Sequence, residues 1–356
     1  MKVLNVRNVH EALPIALKFL DQCGVERESR NGNVLVSPFP VTTVYENPLE
    51  NVIFWPDRDA NPFFHLYEAL YMLQGRDEVA PLARYAANVA QYSDDGKTFW
   101  GGYGKRWRDH FSLEGIPGFY NGEKDQLPII IERLTENPDD RRCVLQMWDA
   151  ECDLDSSSRD VPCNTITTFQ RGLDGALNLV VFCRSNDIIW GAYGANAVQF
   201  SILLEYMALK IGCPVGTYSQ ISVNFHAYLN TYEQCKRIRP DRVNFIENPY
   251  IDRRVHHISM TENIDKEISL LLEEADDHFE RNFYPDDPWS RMVYCVLRAH
   301  DVYKKNVGED KYRKSLNILM SADQQADWIV ASREWLQRRY TTWKIKQIIG
   351  GELSHQ

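Results

Sequence analysis

The chain of 356 residues has eight cysteines, at 23, 143, 152, 163, 183, 213, 235 and 295, but no CxxC pair. Scattered singly, they offer neither a disulfide framework nor a zinc knuckle, and no metal site is expected. Free thiols suit a reducing, cytoplasmic compartment. No signal-peptide pattern is read in the first residues. No apolar run approaches the roughly 20 residues of a membrane-spanning helix, so no membrane partner is expected. Positive charge is also short: 40 Lys and Arg against 50 Asp and Glu give a formal net charge of −10. That balance speaks against a general nucleic-acid binder and leaves room for a local basic pocket that takes one small anion. Repeats and low-complexity tracts are lacking too. What remains, 44% hydrophobic and 25% charged residues, is an ordinary globular chain with enough mass for a large core.

Periodicity divides the chain. Residues 1–30 read as a helix with Ala12, Ile15, Ala16, Phe19 and Leu20 on one face, before a turn and the strand Val34–Val36. Asn61-Pro62 opens a helix carrying Phe63, Leu66, Tyr67, Leu70 and Leu73, closed by Gly75, with Glu68 in its middle. A second helix is expected over about 79–91 and a third over about 125–135. Between them, Trp100-Gly101-Gly102-Tyr103-Gly104-Lys105-Arg106-Trp107-Arg108 reads as an aromatic, glycine-rich loop. Strands follow at 143–148, 165–169 and 177–182, then an all-apolar helix over about 196–211 and a strand over 217–223. From about 246 the chain turns helical, with helices over 261–283, from Pro288 through Tyr303, and from a Ser321/Gln324 capping box to Gly350-Gly351. The expected division is a catalytic domain at 1–245 and a helical C-terminal extension at 246–356.

Chemistry concentrates at two places. Val161-Pro162-Cys163-Asn164 sets a thiol at the entrance to one strand, and Cys183-Arg184-Ser185-Asn186-Asp187 closes the next. If the strands are neighbours, a nucleophile and an anion-binding Arg/Ser pair share one end of a sheet. The paired Arg141 and Arg142 before a strand also suit a phosphate.

The order of the motifs resembles the thymidylate synthase superfamily over roughly residues 20–240. It is carried by Tyr67-Glu68-Ala69-Leu70-Tyr71, Tyr103-Gly104-Lys105-Arg106-Trp107, Asn137-Pro138-Asp139-Asp140-Arg141-Arg142, Pro162-Cys163, Arg184-Ser185-Asn186-Asp187 and His226-Ala227-Tyr228-Leu229-Asn230. The resemblance implies an α+β fold, a mixed β-sheet packed with helices, here with a helical C-terminal extension. It implies one-carbon transfer from 5,10-methylenetetrahydrofolate to C5 of a pyrimidine nucleoside 5′-monophosphate. Cys163 would add at C6, its thiol pKa lowered by Arg184. Glu68 would relay protons and Tyr103 would help remove the C5 proton. Arg184, Ser185 and the mobile Arg30 would hold the phosphate, joined by Arg141 and Arg142 of the other subunit in an obligate homodimer. His226 and Tyr228 would bind the sugar. Asn196 would read the base, its amide both donating and accepting, and so favour dUMP over dCMP. Asp187 and Tyr92 would lie on the folate side.

Several positions depart from the synthase pattern. Asn164 follows the nucleophile where synthases carry His, Cys183 stands in place of Gln, and Tyr92 replaces a shielding Trp. No synthase closing tail is recognisable. Hydride transfer to the activated carbon, which makes a methyl group, needs water excluded. These departures therefore favour water as the acceptor and hydroxymethylation as the reaction. The alternatives are a true thymidylate synthase and an inactive nucleotide-binding homologue.

Overall fold

Three stretches of alternating apolar and polar residues form the centre of a mixed sheet, with a buried helix packed on one face of it. A computed structural model describes residues 1–111, 125–238, 247–281 and 283–353. In chain order the elements are β1 (Lys2–Val6), α1 (Val9–Cys23), β2 (Val25–Arg27), β3 (Val34–Val36), β4 (Val41–Tyr45), α2 (Pro62–Leu73), α3 (Val79–Tyr85), α4 (Tyr103–Arg108), α5 (Gln126–Glu136), β5 (Val144–Gln146) and α6 (Ala150–Asp153). There follow β6 (Asn164–Arg171), β7 (Leu177–Asp187), α7 (Asn196–Ile211), β8 (Val215–Tyr228), α8 (Leu229–Gln234), α9 (Ile264–Asp276), α10 (Pro288–Lys305), α11 (Asp310–Leu319) and α12 (Asp327–Leu353).

The sheet runs β1-β4-β8-β7-β6-β5, with β3 on β8 and β2 on β3. It is mixed: β1 with β4 and β7 with β8 are parallel, and the other pairs antiparallel. The class is α+β, as expected. Leu177, Leu179, Val181 and Cys183 of β7 are fully buried on one face, beneath the buried helix α7. Phe200 of α7 packs between Trp107 and Tyr218. Each such ring contributes roughly 1.5–3 kcal/mol by leaving water. The opposite face is left partly open, with Val144, Phe182 and Val223 at 43%, 38% and 42% exposure.

Helix α2 is the hinge between sheet and extension. Asn61 caps it through the Phe64 amide. It packs on α7, while Phe63 meets Trp335 and His300, and Tyr67 donates to Asp276. The helices after residue 260 thus share one continuous apolar core with the sheet. The boundary expected at 245/246 touches residues 239–246, outside the described residues.

The expected elements change in detail. The first thirty residues begin with strand β1, and the helix occupies only Val9–Cys23. The 79–91 helix breaks at Ala86, whose backbone is extended, and a 3-10 turn follows at Ala87–Tyr92. The Trp100–Arg108 stretch is not all loop, since Tyr103–Arg108 is helical. Helix α9 stops at Asp276 because His278 and Phe279 both turn to φ 58°. Gln324 caps no helix start: its amide closes the preceding turn on the carbonyls of Leu319 and Ala322. Helix α12 begins at Asp327 and continues past Gly350-Gly351 to Leu353.

Candidate active site

Antiparallel pairing of β6 with β7 sets Asn164 opposite Cys183, which brings Cys163 and Arg184 together at one end of the hairpin. The Arg184 amide donates to the Cys163 carbonyl at 2.9 Å. Its guanidinium donates to the carbonyls of Pro162 at 2.7 Å and Val161 at 2.9 Å, and lies 5.6 Å from the centre of the Trp148 ring. Arg184 is therefore tied to the backbone that carries the thiol. The cations do lower the Cys163 pKa as expected, but the net shift is upward. Burial pushes the thiol up, aided by Asp160, and the pull of Arg184 and Arg30 only partly offsets it.

Tyr103, at the start of α4, reaches the same strand end. Its phenol oxygen accepts from the amides of Cys163 at 2.9 Å and Asn164 at 3.0 Å. Two glycines allow that approach. A Cβ on Gly104 would lie 2.8 Å from both the Met72 Cα and its carbonyl oxygen, and one on Gly101 would lie 2.6 Å from the Asp160 carbonyl. Burial raises the Tyr103 pKa, as does the nearby Cys163.

Tyr103 forms one wall of a cavity of about 250 Å³, with Glu68, Tyr92, Phe99, Asp160, Asn196 and Gln199 among the other lining residues. Glu68 enters it from α2. Burial pushes its carboxyl up to about 7, although the amide of Gln199 donates to Oε2 at 2.6 Å and pulls the other way. An acid that titrates near neutrality is suited to move protons in both directions.

Beside the cavity three side-chain amides form a chain. Asn164 Nδ2 donates to Asn196 Oδ1 at 3.2 Å, and Asn196 Nδ2 donates to Asn164 Oδ1 at 3.4 Å and to Asn186 Oδ1 at 3.1 Å. The ends are closed by the Cys183 thiol, which donates to Asn164 Oδ1 at 2.8 Å, and by Ser222 Oγ, which accepts from Asn186 Nδ2 at 3.0 Å.

The remaining expected residues fall around this centre at different depths. Ser185 follows Arg184 on β7, opposite Asn224. His226 and Tyr228 sit on β8 alongside β3, and Arg30 lies in the connection before β3. Tyr92 lines the cavity and is 44% exposed. Asp187 accepts from the Trp190 amide through Oδ2, while Oδ1 is buried with no hydrogen-bond partner among the described residues. Arg141 and Arg142 are exposed before β5, where Arg142 is paired with Asp140 at 2.6 Å.

A family model described as thymidylate synthase matches residues 18–261. The chain belongs to the thymidylate synthase family. Within it, the chain is 43% identical over 98% of its length to a deoxyuridylate hydroxymethyltransferase of Pseudomonas phage M6, covering 97% of that protein. It is 38% identical to a protein of the same description from Bacillus phage SP01, over 54% of this chain and 50% of that one. A putative thymidylate synthase of Methanosarcina barkeri is 34% identical over 38% of this chain and 56% of its own.

Three residues of this thymidylate synthase-family site were missed in the sequence. Gln199 lies three residues after Asn196 on α7, a spacing that sets both on one helix face and could have flagged it. Asp160 is a half-buried acid three residues before the thiol, held by the Gly101 amide at 2.9 Å. Asn186 is visible only as part of the Arg-Ser-Asn-Asp motif, and no local signal gives its amide partner.

Proposed function

We propose that this protein carries out folate-dependent hydroxymethylation at C5 of a deoxypyrimidine 5′-monophosphate, with dUMP preferred to dCMP. The observation that carries the reading is the near-full-length similarity to the phage M6 hydroxymethyltransferase, together with a phenol and an acid that line one cavity and the backbone of Cys163 bonded to that phenol.

In this reading Cys163 adds to C6 of the base, and the electron density so released makes C5 a nucleophile. Glu68, poised near 7, delivers a proton toward the base carbonyl and later takes it back. Tyr103 assists removal of the C5 proton as a neutral phenol, held by the two backbone amides that donate to its oxygen and using its own O–H to orient the water that takes the proton. Arg184, Ser185 and Arg30 bind the phosphate, and His226 and Tyr228 the sugar. When bound, 5,10-methylenetetrahydrofolate supplies a one-carbon unit at the oxidation level of formaldehyde. Asp187, whose Oδ1 is unpartnered, would hold the folate through one of its N–H groups, and Tyr92, which lines the cavity, would also lie on the folate side. Tyr92 is half-exposed, which leaves a path for water to the activated carbon and favours a hydroxymethyl product.

A homodimer completes the site. The open sheet face presents Val144, Phe182 and Val223, an apolar surface that a second copy covers. Strand alternation puts Arg184 on the same face as Phe182, so Arg141 and Arg142 supplied by the partner protomer reach the same phosphate. No helix among the described residues is long and apolar enough to cross a membrane, and a cytoplasmic enzyme fits the free thiols.

Mass spectrometry of the nucleotide product from dUMP, dCMP and CMP, each with methylenetetrahydrofolate, tests the reading. A 5-hydroxymethyl product from dUMP is expected. A methyl product with dihydrofolate absorbance would make the protein a thymidylate synthase. Absence of product, and of a covalent 5-fluoro-dUMP adduct at Cys163, would leave a binding protein.

A further inference from the structure

Outside the cavity, three donors of different kinds converge where the end of α4 meets α6. His110 Nε2 lies 2.9 Å from Asp149 Oδ2, and donor atoms of His110, Asp149 and Cys152 all fall within 4.8 Å of one another. The scaffold under them is rigid. Arg106 of α4 and Asp153 of α6 form an ion pair at 2.6 Å with only 1% and 0% of their side chains exposed. Asp153 also takes the Asp149 amide at 2.9 Å and the Trp100 indole N–H at 2.9 Å. The His110 amide donates to the Lys105 carbonyl at 2.9 Å. Asp149 Oδ1 accepts from the Glu151 amide at 3.1 Å, which leaves Oδ2 to the imidazole. An ion can enter from solvent: the His110 and Asp149 side chains keep 21% and 23% exposure, and Cys152 is the exposed cysteine among the described residues.

We infer that His110, Asp149 and Cys152 bind a zinc ion. The donor set selects the ion. Mg²⁺ and Ca²⁺ take oxygen ligands, whereas zinc accepts nitrogen, oxygen and sulfur together. One thiolate and one carboxylate carry the two negative charges that neutralise a divalent ion, and the imidazole binds as a neutral ring. In a tetrahedral site, with Zn–N and Zn–O of about 2.0 Å and Zn–S of about 2.3 Å, the donors sit roughly 3.3–3.5 Å apart. The His110–Asp149 pair therefore opens slightly and the Cys152 sulfur draws in, side-chain adjustments that leave both helices in place. Water fills the fourth position on the solvent side. The Cys152 thiol gives its proton to solvent as the metal–sulfur bond forms. The expectation of no metal site came from cysteine spacing, which is blind to donors that folding brings together: His110 and Asp149 are 39 residues apart. The ion clasps α6 to the end of α4. Asp149 directly follows Trp148, so the clasp lies one residue from the ring on which Arg184 packs at 5.6 Å.

Cobalt(II), a spectroscopic stand-in for zinc, tests this on the chelator-treated full chain kept reduced. Wild type should bind a single ion, with a thiolate-to-cobalt charge-transfer band in the near ultraviolet that added zinc then removes. Cys152→Ser should lose the band. His110→Ala should weaken zinc by more than the roughly 10–100-fold that a supporting contact is worth. Cys163→Ala should keep the band, because that thiol takes no part. Zinc should also raise the melting temperature of wild type and leave that of Cys152→Ser unchanged. Melts of the metal-free chains establish that each variant folds; if Cys152→Ser does not, the zinc affinity of His110→Ala decides. A wild type without the band, a band that survives in Cys152→Ser or is lost in Cys163→Ala, or full zinc affinity in His110→Ala would overturn the assignment. Turnover enters none of these measurements, so a failure of the proposed hydroxymethylation is read separately.

Discussion

Tyr103 holds the backbone of Cys163 in place: its phenol oxygen takes the Cys163 amide at 2.9 Å and, in the same fork, the Asn164 amide at 3.0 Å. In the proposed reaction the residue has a chemical task as well as this mechanical one. Tyr103→Phe keeps the ring and removes the acceptor from two amides. It should lower turnover by about 100-fold, as loss of a positioned acid-base group does. It should also cost about 2 kcal/mol of stability, the penalty for a buried donor left unpaired. Rapid-quench kinetics and urea denaturation read the two effects separately.

Glu68 predicts a pH dependence. As a proton donor with its carboxyl at about 7, it is active when protonated, so kcat/KM should fall as pH rises through about 7. Glu68→Gln should remove that limb and about 10²–10⁴ of the rate. Stability follows the same titration. The folded pKa is raised from 4.5, so the stabilisation is full below about 4.5 and is lost as pH climbs through 7. Relative to Glu68→Gln, the wild type should lose on the order of 3 kcal/mol between pH 4 and pH 8. A stability difference between the two that does not change with pH would refute the assignment.

Gln199 tunes that acid. Its Nε2 donates to Glu68 Oε2 at 2.6 Å and lowers a pKa that burial raises. Gln199→Leu should therefore shift the alkaline limb of kcat/KM to higher pH while leaving the Cys163 adduct with 5-fluoro-dUMP intact. A limb that stays in place would mean that the contact is not made in the working enzyme.

The open face of the sheet predicts an assembly. Phe182→Asp should give a monomer in sedimentation velocity and lose activity, because Arg141 and Arg142 no longer reach a partner's site. Mixing inactive Cys163→Ala chains with inactive Arg141→Ala/Arg142→Ala chains should restore about a quarter of wild-type activity, from mixed dimers with one intact site. No recovery on mixing would place these arginines outside the shared site.

What could be read in advance was what lies close in sequence or repeats with a period. Helix α2 showed its 3.6-residue pattern and its Asn61-Pro62 start, and α7 its all-round apolarity. Cys163 and Arg184 could be paired because one hairpin, with Asp174-Gly175 at its turn, joins them. Strand β1 escaped, since five residues near the chain start gain their conformation only from β4 beside them. Arg106 looked like one more cation in a loop, yet it is buried against Asp153 at 2.6 Å, forty-seven residues away. The amide chain escaped for the same reason: Asn164, Asn186 and Asn196 meet through strand pairing and a helix start, and no spacing announces it. The sign of the Cys163 shift was misjudged because burial, which outweighs the cations, is a property of the packed molecule.

Helix α2 has a consequence for how the enzyme is born on the ribosome. Glu68 follows Tyr67, which is bonded to Asp276, and the same helix sets Phe63 against His300 and Trp335. A nascent chain that has emerged as far as β8 already contains every residue assigned to the chemistry. Its acid, however, is borne on a helix whose other side still faces solvent. Competence then arrives late, when the closing helices leave the exit tunnel and dock, so a chain stalled before Trp335 would have a nucleophile without a settled proton donor.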